Sequence, residues 1–232
     1  MFVTGFPAAA FDTNCYVLAS AAGQECLVVD PGIDVVPHLS EVLAEHRLRP
    51  AAVLLTHGHF DHVSSVTPVC GAHGVAAYVH GDDRYRLKDP LGTLDPSLVY
   101  MLEQQFGRRA EWAEPDDVRL LADGQQLELA GLSLQVLHAP GHTEGSVMFS
   151  TAEVPDGVEL GSTVISGDVL FAGSIGRTDL PGGSHPAMMR SLREKVLTLA
   201  DDALVLPGHG PLTTIARERA TNPYLAEAAH GR

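Results

Sequence analysis

The sequence predicts a layered α/β fold in which sheets pack on one another and helices cover their outer faces. Short apolar or alternating runs recur along the chain, as strands do. Between some of them lie amphipathic stretches with apolar residues three and four apart. With 45% hydrophobic content in 232 residues, the chain can bury one sizeable core, and we expect one domain spanning 1–232. Sheets have two faces to bury, so helices belong on the faces that the sheets leave open.

The runs Asn14–Ala19, Glu25–Val29 and Ala51–Leu55 are the first predicted strands. Before Arg47, the spacing of Val35, Leu39, Val42 and Leu43 gives a helix with one apolar face. Val75–Val79 is the next strand. The stretch Gly81–Asp117 is rich in turns, with Asp89-Pro90, Asp95-Pro96 and Glu114-Pro115, and is only patchily helical. We expect it to be an insertion over the core. Strands follow at Leu132–Leu137, Ser146–Phe149, Thr163–Ser166 and Ala203–Leu206. A second amphipathic helix runs through Met188, Met189, Leu192, Val196 and Leu199.

Charge and composition exclude several functions. Fifteen Lys and Arg against 29 Asp and Glu give a net charge of −14, which repels a phosphate backbone and an anionic membrane surface. We expect neither a nucleic-acid nor a membrane partner. No Lys or Arg precedes Arg47, and no apolar run approaches the length of a spanning helix, so a signal peptide is not expected. Cys15, Cys26 and Cys70 lie among apolar neighbours without CxxC spacing, as buried free thiols in a reducing cytoplasm would.

The chemistry concentrates in Thr56–Ser65, THGHFDHVSS, which begins where a predicted buried strand ends. In an extended loop His57 and His59 point the same way and can share a cation, while Asp61 and His62, displaced by the turn that follows, can face a second. Three later segments each carry one ligand-type residue directly after a strand: HAPGHTEGS has His142, ISGDVLF has Asp168 and LVLPGHGP has His209. The remaining histidines, 38, 46, 73, 80, 138, 185 and 230, are expected to be ordinary surface or partly buried residues. Asp30, in LVVDPG, is a carboxylate at a strand end that can brace a neighbouring loop or form a plain Asx turn.

The order HxHxDH, GHT, GD, GHG resembles the metallo-β-lactamase superfamily from Asp12 to Gly210. The resemblance implies an αββα sandwich with the site at the edge between its sheets. It implies one metal held by His57, His59 and His142, another by Asp61, His62 and His209, and Asp168 as the bridge. Asp30 would support the histidine loop. Two divalent metals, zinc with iron or manganese as alternatives, would share a water and lower its pKa, and Asp61 and Asp168 would orient the resulting hydroxide and take its proton.

The run GDVLFAGSIGRTDLPGG resembles the short bacterial glyoxalase II-like hydrolases, which cleave hydroxyacylglutathione-type thioesters. That implies a small-molecule thioester substrate. Arg177 matches a cationic position that contacts glutathione in the family, against the plainer reading of a salt bridge with Asp179. Longer members carry a C-terminal helical domain that helps to hold glutathione, whereas here only residues 210–232 follow His209, which leaves the physiological thiol open. Three rivals remain. A persulfide dioxygenase of the same superfamily would hold one iron through His57, His142 and Asp168, a non-catalytic protein would use the metals only to brace the fold, and a lactonase or lactamase would share the hydrolytic centre.

Overall fold

The computed structural model describes residues 1–92, 94, 96–106 and 112–231. In chain order the first sheet comprises β1 (Phe2–Pro7), β2 (Asn14–Ala19), β3 (Glu25–Val29), β4 (Arg49–Leu54), β5 (Ala76–His80) and β6 (Val118–Leu121). The second comprises β7 (Gln126–Leu129), β8 (Leu132–His138), β9 (Val147–Thr151), β10 (Ser162–Gly167), β11 (Ala203–Pro207) and β12 (Thr213–Thr214). Strands β3 to β6 run parallel, while β1, β2 and β3 pair antiparallel. In the second sheet only β10 and β11 are parallel.

Period-two alternation within single strands generates the layers. On β2, Tyr16 and Leu18 enter the core between the sheets with Leu27, Leu54, Leu134, Phe149 and Ile165. Cys15, Val17 and Ala19 of the same strand face outward, against Leu39, Val42 and Leu43 of α1 (Val36–Glu45) and Val66 and Val69 beyond it. The first helical cover is completed by α2 (Phe60–Val63) and α3 (Val66–His73). The outer face of the second sheet buries Val164 and Val205 under Met188 and Leu192 of α6 (His185–Glu194), with Ile215 and Leu225 from α7 (Ile215–Thr221) and α8 (Pro223–His230). The result is the four-layer αββα sandwich.

The expected strands are present, with β4 starting at Arg49, before the expected Ala51. The sequence reading passed over β1, β6, β7 and β12. These are edge or near-edge strands whose burial is patchy, such as Val118–Leu121 with only Leu121 buried. Of the expected insertion, residues 107–111, Thr93 and Asp95 lie outside the described residues. Its described parts hold α4 (Arg84–Lys88) and α5 (Pro96–Phe106). The segment does not simply lie over the core: Asp83, Arg86 and Leu87 are fully buried, and Leu87 belongs to the core beneath the first helical layer. No helix among the described residues is long and apolar enough to cross a membrane.

Candidate metal centre

Three strand ends of the first sheet and three of the second meet at one edge of the sandwich. After β4 the chain turns at Thr56 and His57 and enters α2 at Phe60, and this brings His57, His59, Asp61 and His62 onto one short loop and turn. Gly58 is required there, because a Cβ would stand 2.7 Å from the Arg86 side chain. His142 follows β8, Asp168 follows β10 and His209 follows β11. The loops interlock through backbone bonds, with Asn14 N–H donating to Gly208 and Gly208 N–H donating to Gly167.

The candidate ligands converge. Donor atoms of His57, His59 and His142 lie within 4.8 Å of one another, as do those of His57, His62 and Asp168, and those of Asp61, His62 and His209. Asp168 faces both ends of the cluster: Oδ2 is 3.4 Å from His142 Nε2 and 3.6 Å from His209 Nε2, and Oδ1 is 3.4 Å from His62 Nε2. Arg177 lines the same cavity as His59, Asp61, His142, Asp168 and His209. Its guanidinium, however, donates to both carboxylate oxygens of Asp179 at 2.8 and 2.7 Å.

The ring orientations are fixed from behind. Asp30 Oδ2 lies 2.9 Å from His62 Nδ1 and accepts from Thr56 Oγ1 at 2.6 Å, and Thr56 Oγ1 is 3.1 Å from His57 Nδ1. Asp30 Oδ1 also accepts from Thr56 N–H at 2.8 Å. The backbone carbonyl of Arg177 accepts from His142 Nδ1 at 2.8 Å, and that of Phe11 from His209 Nδ1 at 2.9 Å. With Nδ1 thus engaged behind each ring, Nε2 is the nitrogen that His57, His62, His142 and His209 turn toward the centre. Thr13 Oγ1 donates to Asp61 Oδ2 at 2.9 Å.

Asp83 is a residue that the sequence reading missed. Fully buried, it accepts from Gly58 N–H and Thr143 Oγ1 at 2.7 Å each, from Gly145 N–H at 2.9 Å and from Arg86 Nε at 3.3 Å. It thereby ties the loop carrying His57 and His59 to the loop carrying His142. Arg86 extends the tie, donating from Nη2 to Glu144 Oε2 and to the Pro181 carbonyl at 2.8 Å each. Asp83 follows a strand among turn residues, and nothing local marks it, since all but one of its partners are distant in sequence.

Three observations fit this donor set to metal. Imidazole nitrogens approach one another at 3.2 Å (His57 Nε2 to His142 Nε2), 2.8 Å (His59 Nδ1 to His142 Nε2) and 3.3 Å (His62 Nε2 to His209 Nε2). Two nitrogens bound tetrahedrally to one zinc stand about 3.4 Å apart, given bonds of about 2.1 Å, so most of these separations suit shared ligation. Asp168 Oδ1 is buried without a hydrogen-bond partner among the described residues, a costly state that a cation relieves. Electrostatics agree. Burial opposes charge on His62, but Asp61, Asp168 and Asp30 override it and raise its pKa to about 10. Burial, then His142 and Arg86, lower that of His59 to about 2, and burial followed by the neighbouring histidines lowers that of His57. The carboxylate end of the cluster therefore attracts a positive charge, while the histidine end offers neutral lone pairs. N and O donors from several strand ends, grouped beside an open cavity, define a dinuclear-type metal centre on an αββα sandwich.

Comparison with known proteins specifies this class. Residues 8–209 match the family model of the metallo-beta-lactamase superfamily, and the chain belongs to that superfamily. It is 36% identical to a probable metallo-hydrolase of Bacillus subtilis and 33% identical to a hydroxyacylglutathione hydrolase of Haemophilus influenzae, each alignment covering 94% of this chain and 95% of the relative. Among solved structures, the B3 metallo-beta-lactamase BLEG-1 superposes with a TM-score of 0.78 at 36% identity, covering 97% of this chain and 99% of that one. The protein TTHA1623, solved in a di-iron-bound form, superposes with a TM-score of 0.75 at 34% identity, covering 96% of this chain and all of that one.

Proposed function

We propose that this protein is a thioester hydrolase of the glyoxalase II-like type, working with two divalent metals. The observation that carries the reading is that Asp61, His62 and His209 converge beside the three-histidine group, with Asp168 facing both. A mononuclear iron oxygenase has no need of that second donor set. The likeness to a relative named a hydroxyacylglutathione hydrolase supports the thioester, and the metallo-hydrolase relatives support hydrolysis.

In this reading His57, His59 and His142 would hold one metal and Asp61, His62 and His209 the other, with Asp168 available to both groups. When bound, the metals supply Lewis acidity and bring the pKa of water toward neutrality. Asp61 and Asp168, which line the cavity, orient the attacking water and accept its proton. A thiolate leaves readily because its conjugate acid has a pKa of about 8.5, so the chain needs no strong general acid. Phe60 and Phe171 line the cavity beside the centre. Zinc is the proposed metal, with iron or manganese accepted by the same donors. The proposed partner is a small-molecule thioester and not a nucleic acid, given the charge of −14, and the proposed location is cytoplasmic, given three buried free thiols.

The test is to load the protein with zinc and supply S-lactoylglutathione. Free thiol should appear without oxygen uptake, and Asp168→Ala should abolish it. Oxygen consumption with a persulfide, without thioester turnover, would overturn the reading.

A further inference from the structure

Resting on the hydrolytic reading, we infer that the preferred thioester carries an apolar chain and no net negative charge. The cavity over the metal centre, about 900 Å³, is walled by Phe11, Phe60, Leu94, Leu98, Phe171 and Leu180. These walls come from separate parts of the chain. Phe11 precedes β2, Phe60 opens α2, Leu98 belongs to α5, and Phe171 stands edge-on to His209 with ring centroids 5.9 Å apart. The apolar surface is therefore assembled from several parts of the chain around the cavity that the metal ligands also line.

Charge points the same way. Arg177 is the one Lys or Arg among the described lining residues, and Asp179 engages both its Nε and its Nη2. Arg86, which does not line the cavity, is fully buried and donates from Nε to Asp83 and from Nη2 to Glu144, while its Nη1 is buried without a partner among the described residues. Among the described residues, a net-negative peptide thiol such as glutathione thus finds no uncommitted guanidinium in the cavity wall, while the chain's charge of −14 opposes its approach. An apolar chain suffers neither penalty, and each methylene fully removed from water raises binding about four-fold.

The test uses the zinc-loaded protein and two series of uncharged thioesters. In one, the acyl chain of an N-acetylcysteamine thioester grows from acetyl to octanoyl; in the other, the alkanethiol of an acetyl thioester grows by the same steps. We expect kcat/KM to rise about two- to four-fold per methylene in at least one series, and the best member to exceed S-lactoylglutathione. The responding series identifies which side of the scissile bond the apolar walls hold. Leu98→Ala should flatten that rise, and the uncharged octanamide should raise Tm where glutathione at equal concentration does not. Turnover of S-lactoylglutathione with a flat response in both series would overturn this inference and leave the hydrolytic reading intact. No turnover of any thioester would overturn both.

Discussion

The carboxylate of Asp83 accepts a 2.7 Å hydrogen bond from Thr143 Oγ1, 60 positions further along the chain. Its same oxygen accepts from Gly58, so one buried atom sets the distance between the loops bearing His57 and His59 and the loop bearing His142. Asp83→Asn keeps the shape but turns an acceptor into a donor facing the Gly58 or Gly145 N–H, and it leaves the buried Arg86 guanidinium with Glu144 as its remaining carboxylate partner among the described residues. It should cost about 3 kcal/mol. It should also weaken metal binding at the three-histidine group about 10- to 100-fold, as outer partners of ligands do. Thermal unfolding and metal titration measure the two effects separately.

Asp30 bears on the other end of the centre. Because it lies 2.9 Å from His62 Nδ1, Asp30→Ala should free that ring and remove the metal held with Asp61 and His209 first. Metal analysis after dialysis should give near one equivalent where the parent protein retains two.

Residue 177 acts on His142 through its backbone carbonyl, so its side chain and its position separate experimentally. Arg177→Met should retain both metals. Gly176→Ala should not, since its new Cβ would collide with the Asp168 carbonyl and stand 3.0 Å from His142 Nδ1.

Metal removal should expose a pH dependence of known sign. In the metal-free protein, burial disfavours the His62 cation, but Asp61, Asp168 and Asp30 raise its pKa from 6.5 to about 10. Its stabilising contribution is therefore complete below pH 6.5 and lost as pH rises through about 10. His209, raised by Asp61 and Asp168 against burial, adds in the same direction. Tm of the metal-free protein should fall between these limits. Zinc loading should flatten the fall, because the metal replaces the protons, and His62→Gln should reduce it in the metal-free state.

Thiol reactivity should be low. Burial pushes the Cys26 and Cys70 thiols up to about 12 and raises that of Cys15 as well. An aromatic disulfide reagent at about pH 8 should label the native protein slowly. All three thiols should react at once after unfolding.

The sequence by itself determined the sandwich and the identity of the chemistry-bearing segments. Strand periodicity is local: Tyr16 and Leu18 against Cys15 and Val17 already name two opposite faces, and β2 buries both. The crowding of His57, His59, Asp61 and His62 within one turn is likewise visible in ten residues. Edge strands such as β6 escaped because a run of four residues, Val118–Leu121, is too short for its period to be told from that of a turn. Only the tertiary structure decided how the distant parts meet. Asp168 faces both donor groups because β10 and β11 pair in parallel and end together at the edge where β4 also ends. Asp83 reads as one acid in a turn until folding brings Gly58, Thr143 and Gly145 to it. Arg177 reads either as a substrate contact or as the partner of Asp179 until the structure shows Asp179 holding its guanidinium. Periodicity is carried by neighbours in the chain, whereas orientation, neutralisation and enclosure depend on groups that become neighbours only when the two sheets pack.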